Sequence, residues 1–360
     1  MRKKNKILVG LKSFLIKWLC NKTRHPFNAE GVSKILIMRY DRIGDMVVTT
    51  PLFNALRRGF PKAEMIVLAS ASNATVIANN QDVDKIIIFP IGLWERFKVL
   101  IALRRLNISL VVDIHHDMIW HAIYAIRILN PRWVVSSYKK SRYGVRGSEL
   151  KLYDFMGSVD ENHMISEIYS GISTSLGIPR FKNDLQYKLV LTDAQKASAY
   201  KLISSELNVG INLLGSKIGW QLTDEDCKVL CAHILNLYPN TKIWILSTPS
   251  SYLKMVNLSL EIHHPAVQVV KPTSDVMDAA AIIASLDLLI TPDTSLVHIA
   301  CAFNTPLVAV YPDSPNAFIQ WKPLHLSGKC KVIFSKHENS LEGYSYGELL
   351  EAVDKLIKTD

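Results

Sequence analysis

The chain has 360 residues, too many for one ordinary core and enough for about two domains, and its 49% hydrophobic and 21% charged content excludes a mainly disordered state. Its formal net charge of +10 is compatible with nucleic acid, an anionic membrane or an anionic substrate as partner, but the charge is unevenly placed. Residues 1–24 carry eight Lys or Arg and no acid, leaving 34 basic against 32 acidic residues elsewhere, which makes nucleic-acid binding the weakest of the three.

In chain order, residues 1–30 form a basic amphipathic segment. In "ILVGLKSFLIKWLC" a helix places Ile7, Leu11, Phe14, Leu15 and Trp18 on one face and Lys6, Ser13, Lys17 and Cys20 on the other. Such a helix lies in a membrane interface or docks on the protein's own body. Lysines interrupt every apolar run well short of a membrane span, and no signal-peptide pattern is present. Next come "SKILIMRY" as a buried strand, the loop "DRIGD", a helix through "LFNALRRGF", and the strands "AEMIVLA", "DKIIIFP" and "SLVVDIH". Strands alternating with helices predict a parallel sheet covered on both faces. The stretch 138–160 breaks this rhythm with Gly, Ser and basic residues and reads as a long functional or mobile loop. A helix closed by Gly177 and Pro179 and another over 193–206 lead to a second set of strands, "NVGINLL", "TKIWILST", "VQVVK", "LDLLIT" and "PLVAVYP". Helices are predicted between them over 223–237, 273–285 and 294–303, with an amphipathic one at the end. The reading is two doubly wound α/β domains, 31–185 and 186–340, followed by a terminal helical segment, 341–360. The five cysteines are odd in number and scattered, as in a reduced cytoplasmic protein.

Three loops have chemistry in them. "RYDRIGDMVVTTP" follows the first strand and contains one glycine, Gly44, where a dinucleotide fold has three. Asp45 is there either as a helix N-cap or as a carboxylate able to act as general base. "INLLGSKIGWQLTDEDC" offers Gly215, Ser216 and Lys217 as a flexible basic loop ahead of a helix capped by Thr223 or Asp224; its Lys is a point charge for a phosphate or is merely solvated. The acids at 224–226 fit a helix first turn better than a metal site. "LLITPDTSLVHIACAFNTPLVAVYP" sets Asp293, Thr294, Ser295 and Leu296 at a helix start after a buried strand, with His298 one turn inside. These are helix caps, or a place where exposed amides and the helix dipole receive an anion. "DIHHD" at 113–117 holds two adjacent His whose side chains diverge, so no metal is expected there.

Taken together the three loops resemble glycosyltransferase family 9, the bacterial heptosyltransferases of lipopolysaccharide core assembly. The likeness begins with "KILIMRYDRIGDMVVTTP", resumes at "GSKIGWQLTDEDCKVL" and ends with "DLLITPDTSLVHIACAFNTPLVAVYPDSP" and "WKPL". The resemblance implies a GT-B fold, two Rossmann-like domains facing across a cleft with the terminal helix returning to the first. It implies inverting, metal-independent transfer of a heptose, typically from ADP-heptose, to an inner-core sugar, with no cofactor. It assigns Asp45 as catalytic base, with Arg42 and Gly44 on the acceptor side. It assigns Gly215, Ser216, Lys217, Asp293, Thr294, Ser295, Leu296 and His298 to the donor. The expected partners are a nucleotide-sugar donor, a lipid-linked oligosaccharide acceptor and the cytoplasmic face of the inner membrane, met through the N-terminal segment. Alternatives are a binding protein without turnover, or transfer of another sugar. The chain departs from the family pattern in reading "DTS" for "DTG", in lacking an acid after "KIWILST", and in reading "PDS" for "GPT". A further tension is physical: a helix N-terminus lowers a neighbouring carboxyl's pKa and weakens it as a base.

Overall fold

The computed structural model describes residues 2–142, 144–181, 184–203, 207–217, 219–273 and 275–358, without the side chains of residues 2–8. The chain divides into two compact units, Met1–Leu185 and Gln186–Asp360. The first opens with α1 (Arg2–Leu19), then β1 (Lys34–Arg39), α2 (Ile43–Gly59), β2 (Glu64–Ala69) and β3 (Lys85–Ile88). It continues with α3 (Leu93–Arg104), β4 (Leu110–Asp113), α4 (Trp120–Leu129), β5 (Trp133–Ser136), β6 (Phe155–Met156) and α5 (Ile165–Ser175). All its strands are parallel, in the order β3-β2-β1-β4-β5-β6.

The second unit runs α6 (Asp193–Leu202), β7 (Leu207–Ile211), α7 (Asp224–Leu237), β8 (Thr241–Ile245), α8 (Tyr252–Ile262) and β9 (Val267–Val269). It ends with α9 (Val276–Ala284), β10 (Leu288–Pro292), α10 (Ser295–Phe303), β11 (Leu307–Tyr311), α11 (Pro315–Trp321), β12 (Cys330–Phe334) and α12 (Tyr346–Ile357). Its order, β9-β8-β7-β10-β11-β12, repeats that of the first sheet strand for strand. Both are doubly wound Rossmann-like sheets. In each, the order of strand addition reverses between β1 and β4 or β7 and β10, and at such a switch point the loops at the carboxyl ends of parallel strands splay into a crevice.

Short, almost wholly buried runs of Ile, Val and Leu explain why the central strands form: Ile35–Met38, Val111–Val112, Leu288–Ile290 and Leu307–Val310 are all inaccessible. Strand periodicity sends alternate residues to opposite faces. Leu36, Met38, Ile66, Leu68, Val111 and Val134 join one core with α3, α4, Ile16 and Cys20, while α2 and α5 pack together.

Several expectations change. Segment 138–160 is tied down: Val145, Leu150, Leu152 and Tyr153 are core residues, and it contributes the edge strand β6. Cys20, assigned to the polar face of the first helix, is buried with Ile16 where α1 docks beside α4, whereas Leu11, Phe14, Leu15 and Trp18 remain exposed. One face of this helix thus docks on the protein's own body; the side chains of Lys6 and Ile7 lie outside the described residues, as do 204–206 at the end of the helix expected over 193–206. The terminal helix does not leave the second unit's core: Leu349, Val353 and Leu356 of α12 pack there, His233 Nε2 lies 3.0 Å from Asp354 Oδ1, and Tyr346 bonds Asp226. All five cysteines are free, four of them buried.

Candidate active site

At the first switch point the sequence "RYDRIGDMVVTTP" is organised around Arg39, the last residue of β1, whose side chain is 2% exposed. Its Nη1 lies 3.1 Å from Asp41 Oδ2 and its Nη2 3.4 Å from Asp45 Oδ1. Nη2 also donates to Tyr169 Oη of α5 (2.7 Å), and Nε to Thr49 Oγ1 (2.9 Å) and the Asp45 carbonyl (3.0 Å). Thr49 Oγ1 itself donates to the Asp45 carbonyl at 2.7 Å. Thr50 Oγ1 donates to the Val47 carbonyl at 2.7 Å, the acceptor that Pro51, having no N–H, cannot serve. The "TTP" triplet therefore repairs the helix that carries Asp45.

The N-cap of α2 is Arg42, exposed and without a side-chain cap bond. Asp45 stands three residues later, which corrects the expectation of an N-cap at that position. Burial raises its carboxyl pKa and nearby Asp41 adds to this, against Arg39 and the Arg42 backbone N–H; the net direction is up. Desolvation and Asp41 thus outweigh Arg39 and the Arg42 backbone N–H, and the carboxyl is not depressed as its place in the first helical turn led one to expect. Asp41 goes the other way: burial disfavours its charge, but Arg39 and His115 hold it well below the usual carboxylate range. Two carboxyls on one guanidinium are thus pushed apart, one fixed as an anion and the other able to take a proton.

Behind them lies a buried relay that sequence reasoning missed. His115 Nδ1 is 2.9 Å from Asp113 Oδ1, and its Nε2 is 3.4 Å from Asp41 Oδ2. Asp113, fully buried at the end of β4, also accepts from Lys139 Nζ (2.7 Å) and Tyr153 Oη (2.8 Å). Burial opposes a charge on His115, but the two carboxylates win and raise it to about 9. His116 diverges to stack on Tyr138 at 5.8 Å. Among the described residues no group of three His, Cys, Asp or Glu could hold a metal ion.

The second switch point is differently made. Asn212, buried after β7, donates through Nδ2 to Thr291 Oγ1 of β10 (2.9 Å) and to the Leu214 carbonyl (2.8 Å), joining two neighbouring loops. Gly215 is required by space: a Cβ there would lie 1.4 Å from the Trp220 carbonyl oxygen. Ser216 and Lys217 are exposed, and Lys217 Nζ sits 4.0 Å from the centre of the Trp220 ring. Thr223 caps α7 in a capping box with Asp226, so the acids at 224–226 occupy its first turn as expected.

After β10, the Asp293 N–H donates to the Val310 carbonyl (3.0 Å), and Thr294 is the N-cap of α10, its Oγ1 accepting from the Leu296 N–H at 3.1 Å. Ser295 is the first helical residue. His298 is buried, with ring contacts to Tyr187 at 5.8 Å and Trp321 at 5.9 Å, and its Nδ1 has no hydrogen-bond partner among the described residues. Burial lowers its pKa to about 4, so it is neutral. Each expected group of residues is therefore assembled within its own unit: Arg42, Gly44 and Asp45 at the first switch point; Gly215, Ser216, Lys217 and Asp293, Thr294, Ser295, Leu296, His298 on adjacent loops at the second.

Residues 237–351 match the model of glycosyltransferase family 9 (heptosyltransferase). A protein of Escherichia coli K12 provisionally named lipopolysaccharide heptosyltransferase 4 is 25% identical over 336 residues, 89% of this chain and 87% of its own. The chain is thus similar to glycosyltransferase family 9 within its second unit, and to a protein named as a lipopolysaccharide heptosyltransferase over most of its length. Among solved structures, E. coli ADP-heptose lipopolysaccharide heptosyltransferase II superposes with a TM-score of 0.71 at 18% identity, over 90% of this chain and 98% of that one. The family 9 glycosyltransferase of Veillonella parvula gives 0.76 at 15% identity, over 91% and 98%. These likenesses cover nearly the whole chain and show that its fold is that of the GT-B enzymes.

Proposed function

We propose that the protein is a family 9 glycosyltransferase that moves a heptose from ADP-heptose to an inner-core sugar of lipopolysaccharide, with inversion and without a metal. The observation that carries the reading is Asp45: a carboxyl at a switch point whose burial raises its pKa, beside a second carboxyl held ionised by the same arginine. In the reaction the acceptor oxygen forms the new bond to the anomeric carbon while its proton passes to Asp45. The bond from that carbon to the diphosphate breaks on the opposite face, and ADP leaves with the electron pair. Lys217 and the N-terminus of α10 are the groups to receive this charge. Lys217 does so by exchanging the Trp220 ring for a phosphate.

The donor assignment is supported by the likeness to an enzyme named for ADP-heptose. Unpartnered His298 Nδ1, in its aromatic surroundings, is suited to accept a hydrogen bond from the donor. We place the enzyme on the cytoplasmic face of the inner membrane, where the exposed Leu11, Phe14, Leu15 and Trp18 of α1 meet the lipid interface. Among the described residues no helix is long and apolar enough to cross a membrane.

Incubation with ADP-heptose and heptose-deficient lipopolysaccharide tests the reading: mass spectrometry should show the acceptor one heptose heavier. Absence of product with every nucleotide sugar tried would reject it. Ser295, where the family pattern has Gly, favours a second reading, binding without turnover. Calorimetric binding of ADP with no product in that assay would establish this alternative.

A further inference from the structure

Nineteen large hydrophobic residues are exposed among those described, and ten of them fall in two short segments of the first unit. Five are on α1: Val9, Leu11, Phe14, Leu15 and Trp18. The other five, Ile88, Ile91, Leu93, Trp94 and Phe97, run from the end of β3 into the first turns of α3. Ile91 is 91% exposed and Leu93 76%. Isolated apolar residues on a surface need no explanation, but a run of five around one turn does.

The two segments share one layer. Leu100 and Leu103 of α3, Ile16 of α1 and Cys20 just after it enter the same core, on the sheet face defined by Leu36, Met38 and Val111, and both helices pack against α4. The turn before α3 also lies at the carboxyl edge of the sheet. Arg96 Nε donates to the Pro90 carbonyl (2.6 Å), its guanidinium covers the Phe89 ring at 4.9 Å, and Phe89 meets Tyr40, next to Asp41, at 4.7 Å. The apolar turn therefore opens beside the loop that holds Asp45.

Its chemistry is that of an interface anchor. Trp94 and Phe97 stack at 5.8 Å, Lys98 Nζ lies 5.6 Å from the Trp94 ring, and these side chains with Ile101, Ala102 and Arg105 line a shallow groove. From Leu93 to Arg105 the sequence carries Arg96, Lys98, Arg104 and Arg105 against Glu95 alone, and residues 1–24 carry eight cations and no acid. Trp and Phe among cations suit the headgroup level of an anionic bilayer.

We propose that the β3–α3 turn, with Ile91, Leu93, Trp94 and Phe97, is a second lipid-contact element that acts with α1 to seat the carboxyl edge of the first sheet on an anionic membrane. This rests on the membrane placement above and deepens it. One helix leaves the enzyme free to rotate about its anchor, whereas two footings on one layer fix which edge faces the lipid-linked acceptor.

The test is co-sedimentation of the full-length protein with vesicles of phosphatidylcholine alone or mixed with phosphatidylglycerol. The variants are Trp94→Ser with Phe97→Ser, Ile91→Ser with Leu93→Ser, and Phe14→Ser with Trp18→Ser. The native protein should prefer the anionic vesicles, and each pair should weaken partitioning ~30-fold while leaving transfer to a lipid-free acceptor fragment unchanged. The second pair, more exposed than the first, reads the same element if the first impairs folding. Native-like binding by both α3-turn pairs, with loss only in the α1 pair, would overturn the second footing and leave the membrane placement intact. Failure of the native protein to bind would overturn both. A dimer in sedimentation velocity that the Trp94 and Phe97 changes dissolve would overturn it in favour of self-association.

Discussion

The two switch points have the same strand order and opposite chemistry. At the first, Arg39, Asp41, Asp113, His115 and Lys139 form ion pairs, most of them out of contact with water, and Asp45 is set against them. At the second, Asn212 and Thr291 join the loops by neutral hydrogen bonds, Thr294 caps a helix, and His298 is uncharged with a ring nitrogen unserved. A site whose charges are supplied by the protein must neutralise them in advance, because an unpaired buried charge is costly. A site awaiting a charged ligand instead keeps amides and a lysine in reserve and lets the ligand complete it. The contrast fits a proton acceptor in one unit and a diphosphate in the other.

The comparison breaks most visibly at Asp45. Asp45→Ala should reduce kcat by about a thousand-fold, the typical worth of a positioned base, and leave ADP affinity within a factor of two or so. A steady-state assay paired with calorimetry measures both, and a near-native rate would remove Asp45 from the chemistry. Arg39→Met should cost about 3–5 kcal/mol of folding stability in urea titrations, because two carboxyls lose their shared cation.

Acid–base behaviour sharpens it further. His115 has a folded pKa of about 9 against 6.5 unperturbed, so its stabilisation is complete below about pH 6.5 and is lost as pH rises through 9. Over that window stability should fall by up to about 3 kcal/mol, and His115→Gln should flatten the dependence. The rate should have the reverse sense if Asp45 is the proposed base, which acts only deprotonated: activity should drop on acidification through a pKa above the usual carboxylate value. Asp41→Asn removes a charge that raises Asp45, so the acidic limb of kcat/KM should move to lower pH. The smallest expected effects belong to the second site. Lys217→Met should raise the donor KM roughly ten- to hundred-fold, the worth of one charge-assisted bond. Ser295→Gly should change it only a few-fold.

Much of the architecture was legible because buried parallel strands announce themselves as short Ile and Val runs, as in β1, β4, β10 and β11. The strands that escaped lack that signal. β5 is four residues beginning with Trp133, β6 is two, and β12 is an edge strand with Lys331 and Phe334 exposed. α8 was missed too, its apolar residues spread around the helix with only Met255 and Leu258 buried. In the candidate site, the loops could be found from small and acidic residues following buried strands. Arg39 could not. In sequence it is one basic residue at a strand end, and only the arrival of Asp41, Asp45 and Tyr169 from three directions makes it the hub. The same holds for Asp113 and Lys139, 26 positions apart and joined by tertiary packing alone.

Because α12 seals the sheet of its own unit, the polypeptide passes from the first unit to the second a single time. Every strand of the first sheet has been synthesised by residue 156 and its last helix by 175. The first unit can thus finish folding during synthesis, with nearly half the chain still to be translated.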